Sequence, residues 1–196
     1  MRPALIGVVF FMATAVLAVW TGRADAGEAK LEGPAPFFFV AAYNQKSCGA
    51  KLVFLDRLVG KKALESKTAK KVLLITFFNI DCKPCRKELP FLQKLYARYQ
   101  KDGLGILAIN TDYRKEKVAE LHEFIQKSGF TFPVLKDRFQ ALQRRYGVES
   151  FPTMFILDES GIIKSIRVGY NEEKMPFPLA DVQRRLGVKQ EPIKTD

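Results

Sequence analysis

The stretch NIDCKPCRKELP, residues 79–90, sets two cysteines, Cys82 and Cys85, around a Lys83-Pro84 pair. It follows VLLITFF (72–78), a run apolar enough for a buried central strand. After the cysteines, Leu89, Leu92, Leu95, Tyr96 and Tyr99 recur at helical spacing. The pair therefore sits where a strand ends and a helix begins, and unpaired backbone N–H groups there stabilise an anion such as a thiolate. Pro84 suits a first helical turn, having no N–H to leave unpaired. Two intervening residues let the sulfurs meet, so the pair can cycle between dithiol and disulfide. Cys82, nearer the tip, is the expected attacking thiol, and Cys85, one turn in, the resolving thiol.

A metal clip and a structural staple compete with this redox reading. Cys48, Cys82, Cys85 and His122 supply a Cys3His ligand count, but no second paired motif accompanies them and His122 lies in an ordinary amphipathic segment. Haem attachment needs histidine after the second cysteine, where Arg86 stands. A disulfide closing so short a loop restricts the unfolded chain little. No metal and no cofactor are expected.

Outward from this centre, FFFVAAY (37–43) reads as a strand, NQKSCG as a turn, and AKLVFLDRLVG as a second strand or short amphipathic piece. KKALESKTAKK (61–71) reads as a surface loop or frayed helix. Downstream, LGILAIN (104–110) is a buried strand, KEKVAELHEFIQKSG (115–129) a helix closed by Gly129, and FTFPVL (130–135) a short extended piece. FQALQRRYGV (139–148) is helical, TMFILD (153–158) and IIKSIRVGY (162–170) form a hairpin, and PLADVQRRLGV (178–188) is a last helix. Alternating strands and helices imply parallel pairing, and the late hairpin requires an antiparallel edge. The expected fold class is α/β, a central mixed sheet flanked by helices, with an N-terminal strand or hairpin extension.

The 196 residues suit one domain. A hydrophobic content of 47% with 27% charged residues is ordinary for a globular body. The N-terminus differs: Arg2 precedes the apolar stretch 4–20, and Ala24-Asp25-Ala26 offers a small-x-small cleavage signal. Residues 1–26 are expected to be an export signal, or an uncleaved anchor through 4–20. Either places the domain outside the cytoplasm, in a bacterium the periplasm. Residues 27–36 are expected to be a linker, 37–188 the domain and 189–196 a tail. Three cysteines in an exported chain leave at least one thiol unpaired within the molecule. The net charge of +11 favours acidic partners or anionic membrane surfaces, and no nucleic-acid motif accompanies it.

The cysteine segment, with Pro90 in the helix after it, resembles the active site of the thioredoxin superfamily. YGVESFPTMFILDESG (146–161), FPVLKD (132–137) and NTDYRKEKV (110–118) resemble its exported TlpA-like and ResA-like members over about residues 35–187. The resemblance implies a thioredoxin fold and a thiol-disulfide oxidoreductase that reduces protein disulfides, with a membrane electron donor upstream. It implies a cis-proline at Pro152, with the Phe151 backbone binding an extended substrate segment. It also implies that Glu88, three positions after the second cysteine, influences proton transfer to the thiols; a solvated surface carboxylate is the alternative reading. Asp81 replaces the usual tryptophan before the first cysteine. It disfavours the thiolate while Lys83 favours it, or it serves as an N-cap. Thr76 replaces the buried acid that many thioredoxins carry on the central strand. Cys48 is extra: an inert buried thiol is the expected reading, with an intermolecular bond or shuttling with the active pair as alternatives. Two other activities are weighed. A copper chaperone of this fold has three residues between its cysteines and a later histidine ligand. A thiol peroxidase carries threonine where Asn79 stands.

Overall fold

The computed structural model describes residues 29–170 and 179–193. The expected export segment lies outside them. A five-stranded sheet forms the centre, with strands β3 (Val72–Phe78), β4 (Leu104–Asn110), β5 (Val134–Lys136), β6 (Thr153–Asp158) and β7 (Ile163–Val168) in the order β5-β4-β3-β6-β7. β3, β4 and β5 are parallel, while β6 and β7 run antiparallel. Beside them β1 (Phe39–Ala41) and β2 (Leu52–Phe54) form the N-terminal hairpin.

Alternation along β3 divides the core. Val72, Leu74, Thr76 and Phe78 face one layer; Leu73, Ile75 and Phe77 face the other. The first layer is covered by α3 (Lys83–Tyr99), α4 (Lys115–Ser128) and α6 (Leu179–Leu186), through Leu89, Leu92, Leu95, Leu121, Ile125 and Val182. Two successive right-handed crossovers, β3-α3-β4 and β4-α4-β5, put α3 and α4 on the same side. The second layer is covered by the hairpin and by α5 (Ala141–Arg145), through Phe38, Val53, Leu142 and Tyr146. Fully burying one such leucine or phenylalanine contributes about 1.5–3 kcal/mol. α3 continues through Pro90 to Tyr99.

Two local features, the segment before β2 and the length of α5, differ from expectation. NQKSCG contains a helical turn, α1 (Gln45–Cys48), ended by Gly49 at φ 71°. Buried Asn44 precedes it: its Nδ2 donates to the Phe130 and Phe132 carbonyls at 2.9 Å, and its Oδ1 accepts from the Val134 N–H at 2.9 Å. These bonds fasten the hairpin to the β5 edge and fix the turn. α5 is shorter than 139–148, while KKALESKTAKK holds the five-residue α2 (Lys61–Glu65), in keeping with a loop or frayed helix. Residues 29–36 carry no helix or strand beyond an isolated bridge of Pro34 with Ile162, and hydrogen bonds tie them down. Ala29 N–H donates to the Arg145 carbonyl, Glu32 N–H to that of Ile163 and Ala35 N–H to that of Gly161.

Candidate redox site

Cys82 and Cys85 are joined in a disulfide, with Cα atoms 5.2 Å apart. Cys82 is half-buried at the N-cap of α3, and Cys85 is fully buried one turn in. The Cys85 N–H donates to Cys82 Sγ at 3.1 Å. In the reduced pair that donor points at a thiolate, and a hydrogen bond to the charged form lowers a thiol's pKa. Pro84 occupies the first helical turn, and Lys83 and Pro84 are both exposed.

The expected capping role of Asp81 does not hold. α3 starts at Lys83, so Cys82 takes the N-cap, its backbone extended at φ −73° and ψ 100° and its sulfur accepting the bond a capping oxygen would take. The exposed Asp81 carboxylate instead receives the ammonium of Lys117, reaching over from α4. Lys117 also approaches Glu120 at 3.4 Å, and Glu120 approaches Arg86 of α3 at 3.7 Å. Arg86 in turn lies over the Phe124 ring, 5.3 Å from its centroid. Four alternating charges thus join α4 to the start of α3. The hydrogen bond that Lys117 donates to Asp81, followed by the contribution of Glu120, raises the Lys117 pKa.

Glu88 is not a solvated carboxylate. It is 3% exposed, and Thr76 Oγ1 donates to its Oε2 at 2.8 Å. Thr76 faces α3 because it shares the strand face of Leu74 and Phe78, which sets this polar pair among apolar neighbours. Burial pushes the Glu88 carboxyl up to about 7, against a smaller opposing effect of the Thr76 hydrogen bond. Three residues apart, Cys85 and Glu88 occupy the same buried face of α3.

The loop before Cys82 is held from β4. Buried Asp112 accepts from the Ile80 N–H at 2.8 Å and from Asn110 Nδ2 at 2.7 Å on the same oxygen, and the Asn110 carbonyl accepts from the Asp137 N–H at 2.9 Å. Across the sheet, the Phe151–Pro152 peptide bond is cis. Thr153 pairs with Phe77, which places Pro152 level with the end of β3, where the chain departs toward Cys82. The Pro152 carbonyl accepts from the Gly169 N–H at 2.7 Å. Among the described residues, neither the N–H nor the C=O of Phe151 has a backbone partner.

The His122 ring stands edge-on to Tyr43, with centroids 5.1 Å apart, and Cys48 is a half-buried free thiol donating to the Ala50 carbonyl at 3.5 Å. Among the described residues, no three His, Cys, Asp or Glu side chains converge on a point where a metal ion could sit. Asp112, Lys117 and Asn44 were not legible as site or framework residues. Their partners lie 32, 36 and about 90 residues away, and one sequence carries no signal for such pairings.

Residues 46–166 match the AhpC/TSA family. The chain belongs to that family. It is 36% identical over 115 residues to the thiol-disulfide oxidoreductase ResA of Geobacillus thermodenitrificans, covering 59% of this chain and 64% of the relative. It is 38% identical over 121 residues to the thioredoxin-like protein YneN of Bacillus subtilis, covering 61% of this chain and 69% of the relative. This AhpC/TSA chain thus spans about two thirds of the length of those relatives. Among solved structures, a Chlorobium tepidum protein provisionally assigned as the thiol:disulfide interchange protein DsbE superposes with a TM-score of 0.66 at 23% identity, over 82% of this chain and all of that one. A thiol:disulfide interchange protein from Bacteroides sp. superposes at 0.59 and 22%, over 83% and 94%. The fold is the thioredoxin fold, with the N-terminal hairpin added to its mixed sheet. Among the described residues, no helix is long and apolar enough to cross a membrane.

Proposed function

We propose that the protein is a thiol-disulfide oxidoreductase that acts outside the cytoplasm and reduces disulfides in partner proteins. The observation that carries this reading is the asymmetry of the pair. Cys82 is accessible with an N–H aimed at its sulfur, while Cys85 is sealed on the helix face that also carries Glu88. The similarity to ResA and YneN supports the same chemistry.

In the forward cycle the Cys82 thiolate attacks a partner disulfide. A Cys82–partner S–S bond forms, and the partner's other sulfur leaves as a thiolate. The Cys85 thiol then passes its proton to ionised Glu88, whose pKa near 7 suits both accepting and returning it. The Cys85 thiolate attacks Cys82 Sγ and releases the partner's second sulfur. Two electrons pass to the partner, and the Cys82–Cys85 disulfide remains. An external dithiol, or a membrane electron donor acting through one, must reduce it again. The cycle uses no metal and no cofactor. Phe151, beside cis-Pro152, offers its free backbone groups to an extended substrate segment. The export-type N-terminus supports the location.

Cys85→Ser tests the cycle by removing the resolving step. Partner proteins are expected to accumulate as mixed disulfides on Cys82, visible as species lost on reduction. Absence of trapped species, together with no turnover of a small disulfide by the unaltered protein, overturns the reading. Rapid peroxide consumption would favour a peroxidase, and stoichiometric copper binding lost in His122→Ala would favour a metal chaperone.

A further inference from the structure

A groove of about 450 Å³ opens between β1 and the segment that follows β5. Its origin is visible in the backbone. Ala42 bridges antiparallel to Leu135, and the Tyr43 N–H donates to the Val134 carbonyl at 2.7 Å; beyond that bridge β1 diverges from residues 136–142. Because β1 runs antiparallel to β5, the divergence lies at the C-terminal end of the parallel strands, which is also the end carrying Cys82. The ends of β5 and β3 are two strand spacings apart, about 10 Å. The Asp137–Asn110–Asp112–Ile80 hydrogen bonds join the groove wall to the redox loop.

Three properties of the groove point to one kind of occupant. First, it offers an unused strand edge. Phe38, Val40 and Ala42 direct their backbone groups to β2, as shown by the Leu55 N–H to Phe38 carbonyl and Ala42 N–H to Lys51 carbonyl bonds and by the Val40–Val53 pairing. By alternation, both backbone groups of Phe39 and the N–H of Ala41 face the groove, while the Ala41 carbonyl turns to Lys136 in the Ala42–Leu135 bridge. Second, it is ringed by exposed apolar side chains: Phe139 is 84% exposed, Phe39 61%, Leu52 48% and Phe37 46%. Third, its ionic lining is basic. Lys136, Arg138 and Arg145 line it, and the carboxylate there, Asp137, is buried and accepts from the Gln143 N–H at 2.8 Å.

From these we infer that the groove docks an extended, acidic segment of a partner protein carrying aromatic or large aliphatic side chains, added as a strand to the free edge of β1. Strand addition satisfies the Phe39 backbone and the Ala41 N–H, apolar side chains cover the phenylalanines, and carboxylates meet Lys136, Arg138 and Arg145. A second copy of this chain, net charge +11, would bring like charge to the same rim. The inference rests on the oxidoreductase reading only for its consequence. A segment held there keeps the partner's disulfide near Cys82, which lowers KM without altering the chemical step.

The test uses two synthetic peptides, each with one internal disulfide. One has a flank alternating Glu with Leu and Phe, and the other has Lys in place of Glu. Affinity is read by fluorescence anisotropy, and KM and kcat by turnover with dithiothreitol as reductant. The acidic peptide is expected to bind about tenfold more tightly than the basic one, with the advantage lost at high salt. Arg138→Glu and Phe139→Ala are each expected to weaken it about five- to tenfold, with kcat and the turnover of a small aromatic disulfide unchanged. N-methylation of alternate backbone amides is expected to cost a similar factor. Equal affinity for both peptides, or indifference to Arg138→Glu, overturns the proposal. So does a dimer in sedimentation that Phe139→Asp dissolves, or binding to phosphatidylglycerol vesicles that Arg138→Glu abolishes without any effect on peptide affinity. Loss of small-disulfide turnover in the unaltered protein would fail the oxidoreductase reading instead, and the anisotropy arm would still decide the groove.

Discussion

Cys82 and Cys85 are three residues apart and belong to different electrostatic worlds. Around Cys82 the charges are many and hydrated: Asp81, Lys117, Glu120 and Arg86 alternate across the surface between α3 and α4. On the buried face of α3 that carries Cys85 stands the carboxyl of Glu88, in the layer of Leu89, Leu92 and the β3 face, with the Thr76 hydroxyl as its hydrogen-bond partner. Water and salt damp the first set, and exposed pairs of that kind contribute little. Water does not reach the second, where electrostatic effects are strongest, so the one carboxyl on the dry side is expected to outweigh the four charges on the wet side. A count of charged residues near the motif would rank the two sides in the opposite order.

The largest expected effect tests the division of labour itself. Cys82→Ser should abolish turnover, by about 10⁴-fold or more, while Cys85→Ser leaves a Cys82 thiol that still captures partners. Equal capture by the two variants, measured by mass spectrometry of mixed disulfides, would break the distinction.

Next comes Glu88. In the unfolded chain its carboxyl ionises near the ordinary value of 4.5, and in the folded chain near about 7. Between those values the unfolded state has released a proton that the folded state keeps, so stability falls as pH rises from about 4.5 to about 7 and is level above. Glu88→Gln keeps an acceptor for Thr76 and removes the titration. It should therefore stabilise the fold by up to about 3 kcal/mol above pH 7 and by nothing below pH 4.5. Denaturation at the two pH values checks this, and the inflection near pH 7 in the resolving rate should vanish with it.

A smaller effect is expected at Asp112, which ties the redox loop to β4. Asp112→Ala leaves the Ile80 N–H and the Asn110 amide without their acceptor and should cost about 1–3 kcal/mol in thermal denaturation. The smallest belongs to the wet side. Lys117→Ala frees the Asp81 carboxylate beside Cys82 and should raise the Cys82 thiol pKa, followed by thiolate absorbance. The shift should disappear in 1 M salt and in the Asp81→Asn background. A salt-independent shift would reverse the comparison.

The sequence disclosed the parts of this molecule whose determinants are local. VLLITFF and LGILAIN are buried on both faces, so their apolar runs mark β3 and β4 to the residue, and Gly129 ends α4 at φ 63°. The redox pair was legible for the same reason, since strand end, cysteines, proline and helix are contiguous. What stayed hidden depends on meetings across the fold. The orientation of Glu88 was open because its helix has two faces, and only the packing of α3 on β3 selects the inner one. The capping role passed from Asp81 to Cys82 because a helix boundary one residue later changes which side chain faces the first turn. The hairpin edge could be named as strands, but its groove depends on where β1 leaves β5.

Thr76 stands where many thioredoxins hold their buried acid on the central strand, and here the acid is on α3 instead. A strand-borne acid and a helix-borne sulfur belong to separate bodies, and any slide of helix over sheet changes their spacing. Cys85 and Glu88 ride on one helix, about 4.5 Å apart along its axis by its rise alone. In the proposed cycle the proton acceptor therefore travels with the sulfur it serves, and their alignment would survive a displacement of the start of α3.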